Sequence, residues 1–323
     1  MRAPVSLAAD VKAGFARTPR SLPPKYFYDE LGSRLFDAIC HLPWYRITAA
    51  ETRLLRKASP GVARALRGPL RVVELGSGSG EKLAVVVEAL RSGRKRPDVH
   101  VVDLSSAAVS ASLARLAKIP SVKATGHRAA YERGLADATA ARRGAGACLV
   151  LFLGSNIGNF DPPDAARLLG DVRRRLRPGD ALLLGTDLVK PARELLAAYD
   201  DPLGVTAAFN RNLLVRLNRE LGADFDVPAW CHRAVWNAGA RRVEMHLVSL
   251  VRQRVTIPRA SVAAVFEAGE TIHTESSHKY RPADVDRLVA AAGFRRERRW
   301  VDRSAKFALT LCRAVWATRI DRP

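Results

Sequence analysis

Four short apolar runs restrict this chain to a small set of folds. LRVVELG (70–76), VHVVDLS (99–105), CLVLFLG (148–154) and ALLLGTDL (181–188) are nearly continuous in Val, Leu and Phe. A strand with one wet face alternates polar and apolar residues, whereas a strand apolar throughout is covered on both faces. Helical patterns lie between these runs: EKLAVVVEALRSG (81–93), with a stop expected at Gly93, SAAVSASLARLAK (106–118) and DPPDAARLLGDVRRRLRPGD (161–180). In the last, Asp161 suits the helix cap and Pro162 the first turn. Buried strands alternating with helices of this length predict βαβ units, and so an α/β fold with a doubly wound parallel sheet.

The flanks read differently. Residues 1–60 are helical and irregular, with aromatics at Tyr26, Phe27, Tyr28, Trp44 and Tyr45. After Lys190 the chain is mostly helical up to Asp226. RRVEMHLVSLVRQRVTI (241–257) then alternates, as an antiparallel hairpin arm would, and HTESSHKY (273–280) reads as a polar loop. A helix over 282–292 stops at Gly293, and FRRERRWVD (294–302) with KFALTLCRAV (306–315) are expected to close the sheet antiparallel. The expected division is a main domain over 1–189 and 280–323, with an inserted α+β segment over 190–279.

Charge and cysteine usage narrow the function classes. The formal charge is +21, from 53 basic and 32 acidic residues. The arginines are scattered over helix faces rather than gathered in a tail or interleaved with aromatics, which favours a solvated basic surface over a nucleic-acid groove. No apolar stretch approaches the roughly 20 residues of a membrane span, and the N-terminus lacks the apolar core of a signal peptide. The expectation is a cytoplasmic monomer with no nucleic-acid or membrane partner. Cys40, Cys148, Cys231 and Cys312 are far apart and read as reduced thiols. His273 and His278 read as surface groups, not metal ligands.

The chemistry concentrates in VVELGSGSGEK (72–82). A phosphate-binding loop needs Gly-Lys-Ser/Thr at its end, and here Glu81 follows Gly80. A dinucleotide fingerprint needs G-x-G-x-x-G, and here the spacing is G-x-G-x-G. An acidic residue, Glu74, two positions before Gly76, and Asp103 at the end of the second strand, where a carboxylate can accept both ribose hydroxyls, together resemble the class I S-adenosylmethionine-dependent methyltransferases. DPPD (161–164) looks like the base-methylating motif of that fold but begins a helix and has Asp164 where an aromatic would stack a base.

A more specific resemblance follows from GSNIGNF (154–160), together with KYFYDELGSRLFD (25–37), TDLVK (186–190), AAYDDPLGVTAAFNRNLL (197–214), RELGADFD (219–226) and IHTESSHKY (272–280). In this order they resemble the L-histidine Nα-methyltransferases of ergothioneine biosynthesis, which form hercynine. The resemblance implies a class I Rossmann-like methyltransferase with an inserted substrate-recognition or lid domain, S-adenosylmethionine as cofactor, S-adenosylhomocysteine as product and no metal. It implies a cofactor site at Tyr28, Gly76, Gly78, Lys82 and Asp103. It implies that Asn159 and Tyr199 hold the substrate carboxylate, that Tyr45, Glu275 and Ser277 surround the imidazole beside Met245, and that Gly154 presents a carbonyl to the amine. Tyr28, Tyr45 or a water would take the proton. One departure stands out: the family's acidic residue before an aromatic is Ala130 before Tyr131 here, so Glu132 or a backbone group would have to meet the adenine.

The residue types suit these roles. An imidazole N–H needs an acceptor such as Glu275, and Ser277, two residues on, shares its side if the segment is extended. Tyr28, Tyr45 and Phe209 can stabilise a methylammonium by about 0.5–2 kcal/mol each. Two alternatives stay open: a same-fold N-methyltransferase for another amino acid or a histidine derivative, and an RNA methyltransferase.

Overall fold

The computed structural model describes residues 6–66, 68, 70–92, 96–140, 142 and 146–315; the expected stop at Gly93 lies outside them. In chain order the strands are β1 (Arg20–Ser21), β2 (Leu70–Leu75), β3 (Asp98–Asp103), β4 (Lys123–Arg128), β5 (Ala147–Phe152), β6 (Ala181–Asp187), β7 (Trp230–Asn237), β8 (Arg242–Ser249), β9 (Gln253–Ile257), β10 (Val262–Phe266), β11 (Thr271–His278), β12 (Phe294–Asp302) and β13 (Phe307–Ala314). The helices are α1 (Leu7–Phe15), α2 (Glu30–His41), α3 (Ile47–Ala65), α4 (Glu81–Ser92), α5 (Ser106–Leu116), α6 (Tyr131–Ala140), α7 (Pro162–Arg175), α8 (Ala192–Tyr199), α9 (Val205–Leu221) and α10 (Pro282–Ala291). Two compact units result, Met1–Arg46 with Lys190–His278 and Ile47–Val189 with Lys279–Pro323.

The second, the sheet unit, holds a seven-stranded sheet in the order β12-β13-β6-β5-β2-β3-β4. The four apolar runs of the sequence are its central strands, paired parallel, and β13 joins β6 antiparallel with β12 outside it. The doubly wound sheet with a final antiparallel pair is thus as expected. Every residue of β6, and every residue of β5 after Ala147, is buried, because Leu168, Leu169 and Val172 of α7 and Val285 and Val289 of α10 form one core with the inner strands. Edge strand β4, KATGHR, is half-exposed and polar, and so has no apolar run to announce it. Asp161 stands at the N-cap of α7 with Pro162 in its first turn.

In the first, the insert unit, β1-β11-β8-β7 form one sheet and β10-β9 a separate pair. The antiparallel hairpin arm expected in 241–257 is β8, which pairs with β7 across a short turn and with β11 on its other side, while the rest of the stretch, β9, pairs with β10. Alternation marks a half-buried strand but does not choose its partner. The segment read as a polar loop at 273–280 is mostly strand β11, held between β1 and β8. Residues up to Arg46 group with this unit rather than with the sheet unit as read from sequence. The reason is local: β1 pairs with β11, and Asp29, the N-cap of α2, accepts hydrogen bonds from Gly32 N (2.7 Å) and Asn212 Nδ2 of α9 (2.9 Å) and pairs with Arg219.

Candidate active site

In the sheet unit the turn after β2 runs through Gly76 (φ +77°) and Gly78 (φ +53°) before α4 begins at Glu81. A Cβ on Gly76 would lie 2.7 Å from Asn156 Nδ2 and 2.9 Å from the Tyr131 hydroxyl, whereas one on Gly78 would meet nothing within 4 Å. Gly76 is therefore pressed by its neighbours, and Gly78 leaves open space beside the backbone, which lets a ligand reach its peptide groups. Asp103 closes β3. Its Oδ1 accepts Ser105 N at 2.9 Å and its Oδ2 accepts Gly78 N at 3.4 Å. Burial raises its pKa, and the amides of Ser105, Gly78, Ser77 and Leu104 oppose that rise.

Lys82, in the first turn of α4, pairs with Glu51 Oε2 of α3 at 2.8 Å. The same carboxylate accepts Gly154 N at 3.0 and 2.8 Å. Gly154 (φ +72°) and Ser155 (φ +58°) turn the chain out of β5 into the short helix Asn156–Asn159. A non-glycine residue held left-handed is a strained position of the kind found at ligand sites. Tyr131 packs on Phe152 and Phe160, while Glu132 is exposed.

Glu74 is the second buried acid here. One of its oxygens, Oε2, finds no hydrogen-bond partner among the described residues. Burial raises its pKa from 4.5 to about 8, Lys82 opposing, Glu51 and Asp103 reinforcing. A carboxyl so raised contributes stability that is complete below pH 4.5 and is lost as pH rises through about 8. Thermal unfolding against pH is expected to show that decline for the native chain and a flatter profile for Glu74→Gln. An unchanged profile in the variant would assign the titration to another group.

These residues suit S-adenosylmethionine. An open Gly-rich turn, an acid with spare acceptor capacity at the ribose position, an orphaned buried carboxyl oxygen and a lysine are the groups a nucleoside bearing an amino acid requires.

In the insert unit a β-bulge decides the second group of residues. The register of β11 against β8 shifts between His273 and Glu275. Thr274 and Glu275 are consecutively buried, followed by buried Ser277. The bulge brings Glu275 and Ser277 onto the same buried side as Ile272, although Ile272 and Glu275 are an odd number of residues apart. His273 Nε2 and Ser276 Oγ, also three residues apart, meet at 3.0 Å for the same reason. Glu275 stands opposite Met245, and the Tyr199 hydroxyl donates to Ser277 Oγ at 2.7 Å. Tyr45 packs 6.3 Å from Tyr199 and 6.2 Å from Phe36, which also meets Tyr28 at 5.5 Å. Burial, then Tyr199, Cys40, Tyr28 and Glu275 nearby, lift the Tyr45 phenol well above its ordinary value. His278 is buried, a correction to its reading as a surface group, because β11 continues through it.

Tyr28, Tyr45, Tyr199, Met245, Glu275 and Ser277 thus gather in the insert unit. Gly76, Gly78, Lys82, Asp103 and Gly154 gather in the sheet unit, with Asn159 five residues beyond Gly154 in the same turn. Two supports escaped the sequence reading. Glu51 sits in an ordinary helical pattern and carries no motif. His232 accepts Asn210 Nδ2 at its Nδ1 (2.8 Å) and donates from Nε2 to Tyr199 O (2.7 Å), a pairing that needs the neutral ring. Burial lowers its pKa accordingly, against the Tyr199 carbonyl and nearby Asp200 and Asp201. Thr274, donating to Asn210 Oδ1 (2.8 Å), ties the bulge to the same network.

Comparison with known proteins follows the same lines. Residues 7–314 match the family described as histidine-specific methyltransferase, SAM-dependent. The chain is 45% identical over 308 residues to the histidine N-alpha-methyltransferase of Mycobacterium tuberculosis, covering 95% of this chain and 94% of that one. It is 42% identical over 307 residues to the protein of the same name from Mycolicibacterium smegmatis, with the same coverage. It is 28% identical over 296 residues to ergothioneine biosynthesis protein 1 of Neurospora crassa, covering 87% of this chain and 32% of that one. The match runs through the glycine turn, the β5 turn and strand β11 alike, and the chain belongs to the histidine-specific, S-adenosylmethionine-dependent methyltransferases.

Proposed function

We propose that this enzyme transfers methyl groups to the α-amine of L-histidine, up to the trimethylated betaine hercynine, as a step of ergothioneine biosynthesis. The observation that carries the reading is the bulged strand β11, which buries Glu275 and Ser277 side by side among tyrosines. A small polar ring with an N–H to donate fits such a surface better than an apolar side chain does.

When bound, the cofactor supplies an electrophilic methyl on a sulfonium sulfur. Gly76, Gly78, Lys82 and Asp103 of the sheet unit hold it. Glu275 accepts the imidazole N–H, and Ser277, oriented by Tyr199, fixes the second side of the ring. Asn159 and Tyr199 would offer neutral donors to the carboxylate, the Tyr199 hydroxyl then accepting from Ser277 Oγ instead of donating to it, and the Gly154 carbonyl would meet the amine. The amine attacks only when neutral, so the chain contributes mainly by positioning and by excluding water. Tyr28, Tyr45 or a water takes the proton that the amine gives up. In this reading the insert, Lys190–His278 together with the N-terminal segment, recognises the amino acid, and the enzyme is a cytoplasmic monomer.

The test is mass spectrometry of the purified protein with S-adenosylmethionine and each of the twenty amino acids, sampled over time. Histidine should gain successive methyls up to three. Gain on another amino acid alone would keep the family and overturn the substrate.

A further inference from the structure

Glu51 is a carboxylate in an unexpected place. Its helix neighbours Ala50, Leu54 and Leu55 are buried apolar residues, and Glu51 itself is only 1% exposed. A buried charge of this kind costs free energy unless it is paired and hydrogen-bonded. Here the pairing comes from two separate pieces of the site: Lys82 Nζ at 2.8 Å and the Gly154 amide at 2.8 and 3.0 Å. The chain also leaves room for it. Strand β6 carries Gly185 beneath the carboxylate, where any Cβ would lie 2.0 Å from Glu51 Oε1. The two partners approach each other as well, since a Cβ on Gly154 would stand 3.2 Å from Lys82 Nζ.

We infer that Glu51 is a positioning residue for methyl transfer, its single carboxylate setting Lys82 of the cofactor cradle and the Gly154 peptide of the acceptor turn in one fixed register. The inference rests on the proposed function for the roles of Lys82 and Gly154. The charge-assisted bond restrains a flexible lysine side chain, which otherwise spends free energy on ordering when a ligand binds. The amide bond fixes the peptide that leads into the left-handed residues Gly154 and Ser155.

The experiment uses the full chain and the variants Glu51→Gln, Lys82→Met and the two combined. The dissociation constant for S-adenosylhomocysteine is measured by calorimetric titration, kcat and KM for histidine by methyl transfer, and folding by thermal unfolding. Glu51→Gln should raise that dissociation constant about tenfold and lower kcat per folded molecule about tenfold, the size expected for one charge-assisted hydrogen bond. The double variant should bind no more than about threefold worse than the weaker single, because both substitutions break one coupling. Should Glu51→Gln not fold, Glu51→Asp withdraws the carboxylate by one methylene and is expected to weaken binding likewise. A lower unfolding temperature with unchanged binding and kcat per folded molecule would reduce Glu51 to a structural role and overturn the inference. So would fully additive losses in the double variant. Native protein that binds S-adenosylhomocysteine but leaves histidine unmethylated would overturn the substrate reading alone, with the binding arm still deciding the link to Lys82.

Discussion

Replacing Glu275 by alanine is expected to lower kcat/KM for histidine by about 100-fold. The substitution removes the acceptor proposed for the imidazole N–H, and a buried donor left unpaired costs about 1–3 kcal/mol, more when a charge is involved. Sites built around a hydrogen bond discriminate strongly for this reason. The loss should fall on the amino acid alone. S-adenosylhomocysteine should bind within about twofold of the native affinity, since Gly76, Gly78, Lys82 and Asp103 all belong to the other unit. Steady-state kinetics with histidine and calorimetry with S-adenosylhomocysteine separate the two effects. A kcat/KM within threefold of native would remove Glu275 from the substrate site. The folding penalty should be modest, because Glu275 sits on a strand held from both sides by β1 and β8.

Gly76→Ala is expected to do the converse, weakening S-adenosylhomocysteine binding by about 30-fold or more while leaving residues of the insert unit untouched. Two costs combine. Alanine at φ +77° pays about 1–2 kcal/mol for a left-handed backbone. Its Cβ would also stand 2.7 Å from Asn156 Nδ2 and 2.9 Å from the Tyr131 hydroxyl, so both side chains must move. Those two residues flank the turn, which means relief of the clash disturbs the cradle itself. Because the neighbours are side chains rather than backbone, the variant should still fold, and circular dichroism should confirm it. Native-like binding would show that the turn relaxes without consequence and that its shape is not what the ligand reads.

The sheet was legible because its signal is local and redundant. Four apolar runs, a glycine turn, Asp103 at a strand end and an alternating pair near the C-terminus each point to the same doubly wound topology, and hydrophobic periodicity survives without knowledge of neighbours. Strand β4 was not legible, since KATGHR at a half-exposed edge carries no apolar run. The role of Glu51 was hidden too. In its helix it looks like any surface acid, and only the fold brings Lys82, Gly154 and the gap over Gly185 around it.

The polar string HTESSHKY shows where the two kinds of information part. By composition it is a turn, and its resemblance to a known family marks Glu275 and Ser277 without saying how they are held. Local sequence determined that acids, hydroxyls and histidines cluster there, that a glycine turn precedes α4 and that four strands are buried on both faces. Tertiary structure decided that the string is a central strand, that a bulge at Thr274 puts Glu275 and Ser277 in phase with Ile272, and that α9 and β7 brace it through Asn210 and His232. The physical reason is that side-chain direction in a strand depends on register, and register is set by partners far away in the chain.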